Sequence, residues 1–325
     1  MARYIGKRAI TGVVMVILSV CINFTLIRLA PGDPIRIMAG TDNPNQAMID
    51  TLTKKYGLDK SIPEQFVMFL AGIAKGDLGF SYVSHENVVD AILLKLGPTL
   101  MLSLTALIIA VLLGTTLGIL AARKVNSWWD KFLCGISYVF DSTPSFWLGL
   151  IMILVFASAL HIFPTSGMVN LRVQSKGLGR ILDIAYHLVL PVTTLVCIQT
   201  PYYFRIARSS VLQVMAEDFI TTFKATGMPR KKVFNKYVFK NAMLPTITVV
   251  GMSIAFLFSG AVLIETVFAW PGMGRLLIDS ISRRDYPILT GIYFIISVAV
   301  ATMMILIDIV YGIVDPRIKH DQPST

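Results

Sequence analysis

Residues 217–245 have the sequence EDFITTFKATGMPRKKVFNKYVFKNAMLP, a polar and basic segment inside a chain that is otherwise strongly apolar. Phe219 and Phe223 recur at helical spacing near its start. Glu217 and Asp218 stand in the first turn, where the helix dipole favours negative charge. The pattern therefore predicts that the segment begins as a short helix.

That helix is expected to end at Thr226. Gly227 can adopt the left-handed conformation that follows many helices, and Pro229 cannot continue one. A second helix, with basic residues between its apolar ones, is expected before Pro245 leads into another apolar run. A short helix, a glycine break and a basic helix between two apolar runs are typical of a docking surface. The alternative is an ordinary loop that packs only on its own helix ends.

The composition is that of a polytopic membrane protein. Hydrophobic residues make up 55% of the 325 residues and charged residues 15%, whereas soluble proteins are about 25% charged. The net charge of +10 would favour a nucleic-acid partner in a soluble chain. In a membrane protein, the position of the charges along the chain is more informative than their sum. The three cysteines lie in apolar runs without metal-ligand spacing, so neither a disulfide framework nor a metal site is predicted.

Six apolar runs are long enough to cross a bilayer, which takes about 20 residues. We expect transmembrane helices at residues 9–29, 98–121, 132–160, 185–204, 246–265 and 288–311. The first run continues past Cys21 and is therefore expected to be a retained span rather than a cleaved signal peptide. The spans leave a long outer loop at residues 30–97 and a polar loop at residues 205–245. Residues 1–325 are expected to form a single transmembrane domain.

The distribution of basic residues predicts the orientation. With six spans, both termini and the 205–245 loop lie on one side of the membrane, and this side collects most of the Lys and Arg residues. The 30–97 loop on the other side balances its cations with eight acidic residues: Asp33, Asp42, Asp50, Asp59, Glu64, Asp77, Glu86 and Asp90. The termini and the 205–245 loop are therefore expected to be cytoplasmic, and no nucleic-acid partner is needed to explain the charge.

The 217–245 segment resembles the coupling loop, or EAA loop, of ABC importer permeases. The matching pieces are Glu217-Asp218-Phe219, Ala225-Thr226-Gly227 and Asn241 to Pro245; the sequence departs from the family pattern at Phe223, where a small Ala is usual. In that family the loop inserts into a groove on the ATP-hydrolysing subunit. The resemblance thus implies that the ATPase-coupling residues are Glu217, Asp218, Phe219, Phe223, Ala225, Thr226 and Gly227.

Further motifs extend the resemblance to nearly the whole chain and narrow it to the dipeptide, oligopeptide and nickel branch of these permeases. They are PGDP at 31–34, YGLD at 56–59, GDLGFS at 76–81, PSFWLG at 144–149, FPTSG at 163–167, ETVFAWPGMG at 265–274 and DIVYGIVDPR at 308–317. Each motif is weak alone, but together they occur in order and at consistent positions. The resemblance implies an all-α, six-helix type I ABC importer permease fold.

The resemblance also implies partners. The chain contains no G-x-x-x-x-G-K-[ST] phosphate loop, so it is not expected to be an enzyme, and ATP and Mg are expected in two separate ATP-binding subunits. A second related permease subunit and an extracytoplasmic solute-binding protein are implied as well, with the 30–97 loop as the seat of the binding protein. The expected mechanism is alternating access, in which closure of the ATPases moves the 217–228 helix as a lever.

Asp141 is the polar residue inside a span that most invites a functional role, because ionisable groups in a membrane are costly. It lies beside Pro144, which removes a helix hydrogen bond. With Ser142, Thr143 and Ser145 it could line the translocation pathway and attract a peptide amino group or a cation. The alternative is that Asp141 pairs with a neighbouring helix for stability.

Three other functions compete with a peptide permease. A nickel or metal-chelate permease would share every motif, although the few histidines and the lack of a Met or Cys cluster favour peptides. A secondary transporter would be expected to show internal repeats and midplane ion ligands, and no repeat is evident. An intramembrane hydrolase would need paired catalytic groups within spans, for which the sequence offers no motif.

Overall fold

The computed structural model describes residues 2–29, 49–50, 53–54, 57, 59–81, 83–173 and 176–314. The PGDP motif at 31–34, Tyr56 and Leu58 of the YGLD motif, and residues 315–317 lie outside these described residues.

The described chain is helical. Its α-helices are α1 Ala2–Leu29, α2 Ile62–Ala74, α3 Val88–Arg123, α4 Trp128–Asp141, α5 Ser145–Met152, α6 Leu178–Met215, α7 Asp218–Ala225, α8 Arg230–Val233, α9 Phe239–Phe256, α10 Val262–Val267, α11 Met273–Arg283 and α12 Tyr286–Val314. Two π-helical stretches, Ile153–Ala159 and Phe234–Val238, follow α5 and α8, and a 3₁₀ turn, Leu257–Ser259, follows α9. Within the described residues, the only β pairing is an isolated bridge between Phe80 and Asn87.

In the described part of the chain, five helical segments are long and apolar enough to cross a membrane: Ile10–Leu29, Val88–Arg123, Leu178–Met215, Arg230–Ser259 and Tyr286–Ile307. A sixth span results if Trp128–Asp141 and Ser145–Ala159 are counted together, although they meet at an angle of 99°. Their bend falls where Pro144, which has no amide hydrogen, stands between the two helices. The all-α, multi-span fold class predicted from the sequence is confirmed.

Two helices are much longer than the apolar runs that mark them. Helix α3 begins at Val88, ahead of the apolar run that starts at Pro98, and α6 extends on both sides of residues 185–204. Prolines 98, 191 and 201 all lie inside these helices. A hydropathy pattern marks the length that crosses the bilayer and not the ends of a helix, so it does not show how far α3 and α6 continue beyond these runs.

The chain divides into two compact units. The first consists of Met1–Thr99, Phe258–Val262 and Pro271–Thr325, and the second of Leu100–Leu257 and Leu263–Trp270.

In the first unit, α1 packs along α12, and the hydroxyls of Ser19 and Ser297 are 2.8 Å apart. The apolar core of this unit is formed by residues before and within the start of α3 and by residues of α11 and α12: Leu78, Val88, Ala91, Ile92, Met273, Ile288 and Ile292. Gly291 permits this packing, because a Cβ atom there would lie 2.3 Å from the Val88 side chain.

The second unit depends on a close crossing of α3 and α6. Gly114 and Gly118 are four residues apart and therefore lie on one face of α3. A Cβ atom on Gly114 would lie 2.7 Å from the Thr200 carbonyl oxygen, and one on Gly118 would lie 2.6 Å from that of Phe204. Because both neighbours are backbone atoms, no side-chain rotation could relieve the clash. Small residues at this spacing are a known means of bringing transmembrane helices together.

Gly118→Ala is therefore expected to destabilise the protein. Forcing a methyl group into this crossing should cost about 2 kcal/mol, in the range of overpacked cores, and should lower the thermal unfolding temperature of the detergent-purified full-length chain. Gly97→Ala is the matched control, because it lies in the same helix with nothing within 4 Å of an added Cβ atom. Equal unfolding temperatures for the two variants would contradict the assigned crossing.

Candidate functional site

Helix α7 is the short helix that the 217–245 segment predicted. It spans Asp218–Ala225, and Glu217 occupies the N-cap position with extended backbone. The Glu217 side chain makes no capping hydrogen bond, but its carbonyl accepts a hydrogen bond from the Ile220 amide at 3.0 Å. Asp218 lies in the first turn, where the positive end of the helix dipole stabilises its negative charge.

Two hydrogen bonds fix the other end of α7. The Gly227 amide donates to the Lys224 carbonyl at 3.1 Å, and the Met228 amide donates to the Phe223 carbonyl at 3.2 Å. Gly227 has a φ of +76°, so this pair of bonds is a Schellman motif closed by a left-handed glycine. These bonds fix the direction in which the backbone leaves α7. Pro229 then occupies the N-cap position of α8.

One face of α7 packs inward. Ile220 is buried in a cluster with Ala122, Val211, Val233, Val238 and Ala242, which come from the ends of α3 and α6 and from the segment after α7. Phe223 is half-buried, and its ring centroid lies 4.2 Å from that of Tyr237. The aromatic side chain that replaces the usual small residue is thus accommodated against a tyrosine, a partner that the sequence analysis did not identify.

The other face of α7 is open. Among the residues predicted to couple to an ATPase, Glu217, Asp218, Phe219, Ala225, Thr226 and Gly227 are exposed, and Phe223 is half-buried. Phe219 retains 37% of its accessible surface, although its ring lies 6.1 Å from that of Phe223. An exposed aromatic ring is suited to contact with another protein, because aromatic side chains are enriched at protein interfaces.

A buried ion pair joins α4 to α6. Arg208 donates to both carboxylate oxygens of Asp130, from Nε at 2.7 Å and from Nη2 at 2.8 Å. Asp130 is 3% exposed and also accepts a hydrogen bond from the Asn126 amide at 2.9 Å. The sequence analysis did not predict this pair. The signal that could have indicated it is an acid, Asp130, at the start of one span and an arginine, Arg208, that follows another.

Asp141 forms a second ion pair with α6. Its Oδ2 lies 2.6 Å from Nη1 of Arg205, and both side chains are about two-fifths exposed. The Asp141 carboxylate thus has a partner on a neighbouring helix, as the alternative of a stabilising pair expects. Such exposure makes the pair worth about 1 kcal/mol or less in water.

The polar side chains predicted beside Asp141 lie at the bend between α4 and α5. Ser142 is exposed, whereas Thr143 and Ser145 are partly buried. The Thr143 hydroxyl donates to the Val139 carbonyl at 2.7 Å, which satisfies that hydroxyl within the helix end. The four predicted residues are neighbours in sequence and all lie at this bend of the second unit.

Two distant motifs meet in the second unit. The Gly167 amide, from the FPTSG motif, donates to the Phe268 carbonyl at 2.8 Å. In the ETVFAWPGMG motif, Glu265 and Trp270 are completely buried, and the Trp270 amide donates to the Glu265 carbonyl at 2.8 Å. The two motifs therefore have a structural role, because their residues are buried or hydrogen-bonded to each other.

In the first unit, the GDLGFS motif ends in a buried hydrogen bond. The Ser81 hydroxyl donates to Oδ2 of Asp285, just before α12, and the Ser84 hydroxyl lies 2.7 Å from that of Ser81. Burial raises the pKa of the Asp285 carboxyl, and the hydrogen bond from Ser81 opposes the rise. This network anchors the segment before α3 to the start of α12.

Comparison with known proteins identifies the family. The family model described as "Binding-protein-dependent transport system inner membrane component" matches residues 114–320, and the N-terminal model of the same transport-system membrane component matches residues 1–105. The chain belongs to this family. It is an inner-membrane permease component of a binding-protein-dependent transport system.

Curated relatives cover nearly the whole permease. The dipeptide transport system permease protein DppB of Escherichia coli is 35% identical over 316 residues, which cover 92% of this chain and 93% of the relative. The di/tripeptide transport system permease protein DppB of Pseudomonas aeruginosa is 36% identical, with 93% and 94% covered. The oligopeptide transport system permease protein AppB of Bacillus subtilis is 34% identical, with 98% and 100% covered.

A solved structure shares the fold. A chain of the MetNI methionine ABC transporter, determined in inward-facing conformations, matches with a TM-score of 0.53 and 13% identity. The match covers 70% of this permease and 97% of that chain. The permease therefore has the type I ABC importer permease fold that the sequence predicted.

Removing the charge of Asp130 should destabilise the permease. In Asp130→Asn the Arg208 guanidinium loses its ionic partner in a mostly buried setting, and breaking such a pair costs about 3 kcal/mol or more. Thermal unfolding of the purified full-length chain measures this loss. Arg275 and Asp279, an exposed i,i+4 pair 3.9 Å apart, provide the control Asp279→Asn, for which less than about 0.5 kcal/mol is expected. Equal losses in the two variants would show that the Asp130 pair contributes no more than an exposed one.

Proposed function

We propose that this permease forms half of the translocation pathway of an ATP-driven importer of dipeptides and oligopeptides. A solute-binding protein delivers the peptide from outside, and two separate subunits hydrolyse ATP with bound Mg. A second homologous permease subunit completes the pathway. The peptide assignment is supported by the relatives described above, which are named as permeases for dipeptides, for di- and tripeptides and for oligopeptides.

The observation that most supports coupling to an ATPase is the two-sided nature of α7. Its inner face is held by Ile220 and by the ring contact of Phe223 with Tyr237, and its C-terminus is fixed by the glycine-closed turn. Its outer face leaves Phe219 exposed. A helix that is rigidly attached on one side and open on the other can transmit a displacement from a docked subunit to α6, which ends three residues before α7 begins.

The charge distribution supports an orientation in which α7 faces the cytoplasm. In the second unit, Arg123 at the end of α3 lines the same cavity as Lys224, Arg230 and Lys231. Cations at one end of spanning helices mark the cytoplasmic side. Both termini would then be cytoplasmic, and the 30–97 loop would face the binding protein.

A pathway role for Asp141, Ser142, Thr143 and Ser145 stays a prediction. The exposure of Asp141 and Ser142 in the isolated chain supports their position at a surface, either the pathway or the contact with the second permease. The pairing of Asp141 with Arg205 supplies the alternative, a stabilising contact between α4 and α6.

Isolation of the complex from its native membrane tests the proposal. We expect the tagged full-length chain to recover two ATPase chains, a second permease and a solute-binding protein, with peptides bound to the binding protein. Mass spectrometry identifies the chains and the extracted ligand. Nickel or a metal chelate in the binding protein would replace the peptide assignment with the metal alternative. A chain that purifies alone and transports without ATP would favour a secondary transporter.

Phe219→Ala should reduce the recovery of the ATPase chains in this experiment by about tenfold, because truncating an aromatic anchor at an interface costs about 1–2 kcal/mol. Phe132→Ala is the control, since Phe132 is comparably exposed (43%) at the start of α4 but lies outside the coupling segment. Equal ATPase recovery with the two variants would exclude α7 as the docking helix.

A further inference from the structure

A cavity of about 610 Å³ lies behind α7 in the second unit. Its wall includes Arg123, the last residue of α3, and Met215, the last residue of α6. Both helices are long and apolar enough to contain a membrane span, and the cavity lies where these two helices end. Its volume is in the range of small-molecule sites, about 300–1,000 Å³.

The rim of the cavity is strongly cationic. Arg123, Lys224, Arg230 and Lys231 line it, and no described residue of its lining is acidic. None of these four cations has a carboxylate within ion-pair distance in the described part of the chain. Four positive charges around one concavity repel each other, and an anion placed among them removes that repulsion.

One of these cations is held in place. The guanidinium carbon of Arg123 lies 4.0 Å from the centroid of the Phe234 ring, a cation–π contact. The contact orients a planar donor that can bind phosphate oxygens in a bidentate manner. Arg123 is otherwise exposed and able to take an external partner.

The floor of the cavity is apolar. Ile220, Val233 and Val238 line it and are each at most 3% exposed. A cationic rim above an apolar floor, at the end of spanning helices, matches an amphiphilic anion better than a small inorganic ion. Basic pockets in this position are suited to the headgroups of anionic lipids.

We propose that this cavity binds a phosphate-bearing anion, namely the headgroup of an anionic phospholipid from the adjoining leaflet. The phosphate lies among Arg123, Lys224, Arg230 and Lys231, and the glycerol end of the lipid lies toward Ile220 and Val233. This proposal rests on the proposed function in one respect, because the cytoplasmic orientation of α7 identifies the leaflet as the cytoplasmic one. It would place a membrane lipid against the inner side of α7, opposite the exposed Phe219.

Native mass spectrometry of the purified full-length chain, titrated with phosphatidylglycerol, tests the site. The double variant Arg230→Gln/Lys231→Gln should bind phosphatidylglycerol about tenfold or more weakly, since each cation near an anionic lipid surface contributes several-fold. The matched control is Lys232→Gln/Lys236→Gln, which removes the same charge from the same segment but from residues outside the lining. Phosphatidylcholine titration measures lipid binding that does not depend on the anionic headgroup.

A single variant in another element, Lys224→Gln, gives an independent reading and should weaken phosphatidylglycerol binding several-fold. Titration with inorganic phosphate separates the two sources of the anion. Saturable phosphate binding that the double variant abolishes and the control retains would support the anion site and assign it to a soluble anion.

Two results would overturn the proposal. Equal loss of phosphatidylglycerol binding in the double variant and its control would show that only the general positive charge matters. Unchanged lipid and phosphate binding, with loss of the ATPase chains from the native complex, would assign the cations to an acidic protein partner. Neither result would affect the peptide assignment, which depends on the ligand of the binding protein.

Discussion

The close approach of α3 and α6 at Gly114 and Gly118 is the constraint on which the second unit depends. In a bilayer no hydrophobic force drives helices together, so close packing of backbones supplies much of the attraction. Once α6 is fixed against α3, the Tyr203 hydroxyl on α6 can donate to Ser253 of α9 at 2.7 Å. Two arginines near the end of α6 then reach α4: Arg208 pairs with the buried carboxylate of Asp130, and Arg205 pairs with Asp141.

This arrangement gives α6 a central mechanical position. It contacts α3 along the glycine face and α4 through ion pairs, and it ends immediately before α7. The contact between the Phe223 and Tyr237 rings and the turn at Gly227 leave α7 little freedom to move independently of its surroundings. A push on the exposed face of α7 would therefore reach the membrane through α6, and a lipid bound behind α7 would alter how that push is transmitted.

Much of this could be predicted from the sequence, because the relevant signals are local. Helix α7, its glycine break and the bend at Pro144 follow from residues within one or two turns. The ion pair of Asp130 with Arg208 and the contact of Gly118 with Phe204 could not be derived in the same way, since each joins residues about 80 positions apart. The full lengths of α3 and α6 could not be derived either, because hydropathy marks the membrane and not the ends of a helix.

Uptake of a labelled dipeptide into proteoliposomes is the most direct test of the central claim, that this chain is the permease of an ATP-driven peptide importer. The vesicles would contain the complete complex, with ATP enclosed on the side that α7 faces and the binding protein on the other. The account predicts that the peptide accumulates only with hydrolysable ATP and only when the binding protein is present. Accumulation driven by an ion gradient without ATP would contradict it.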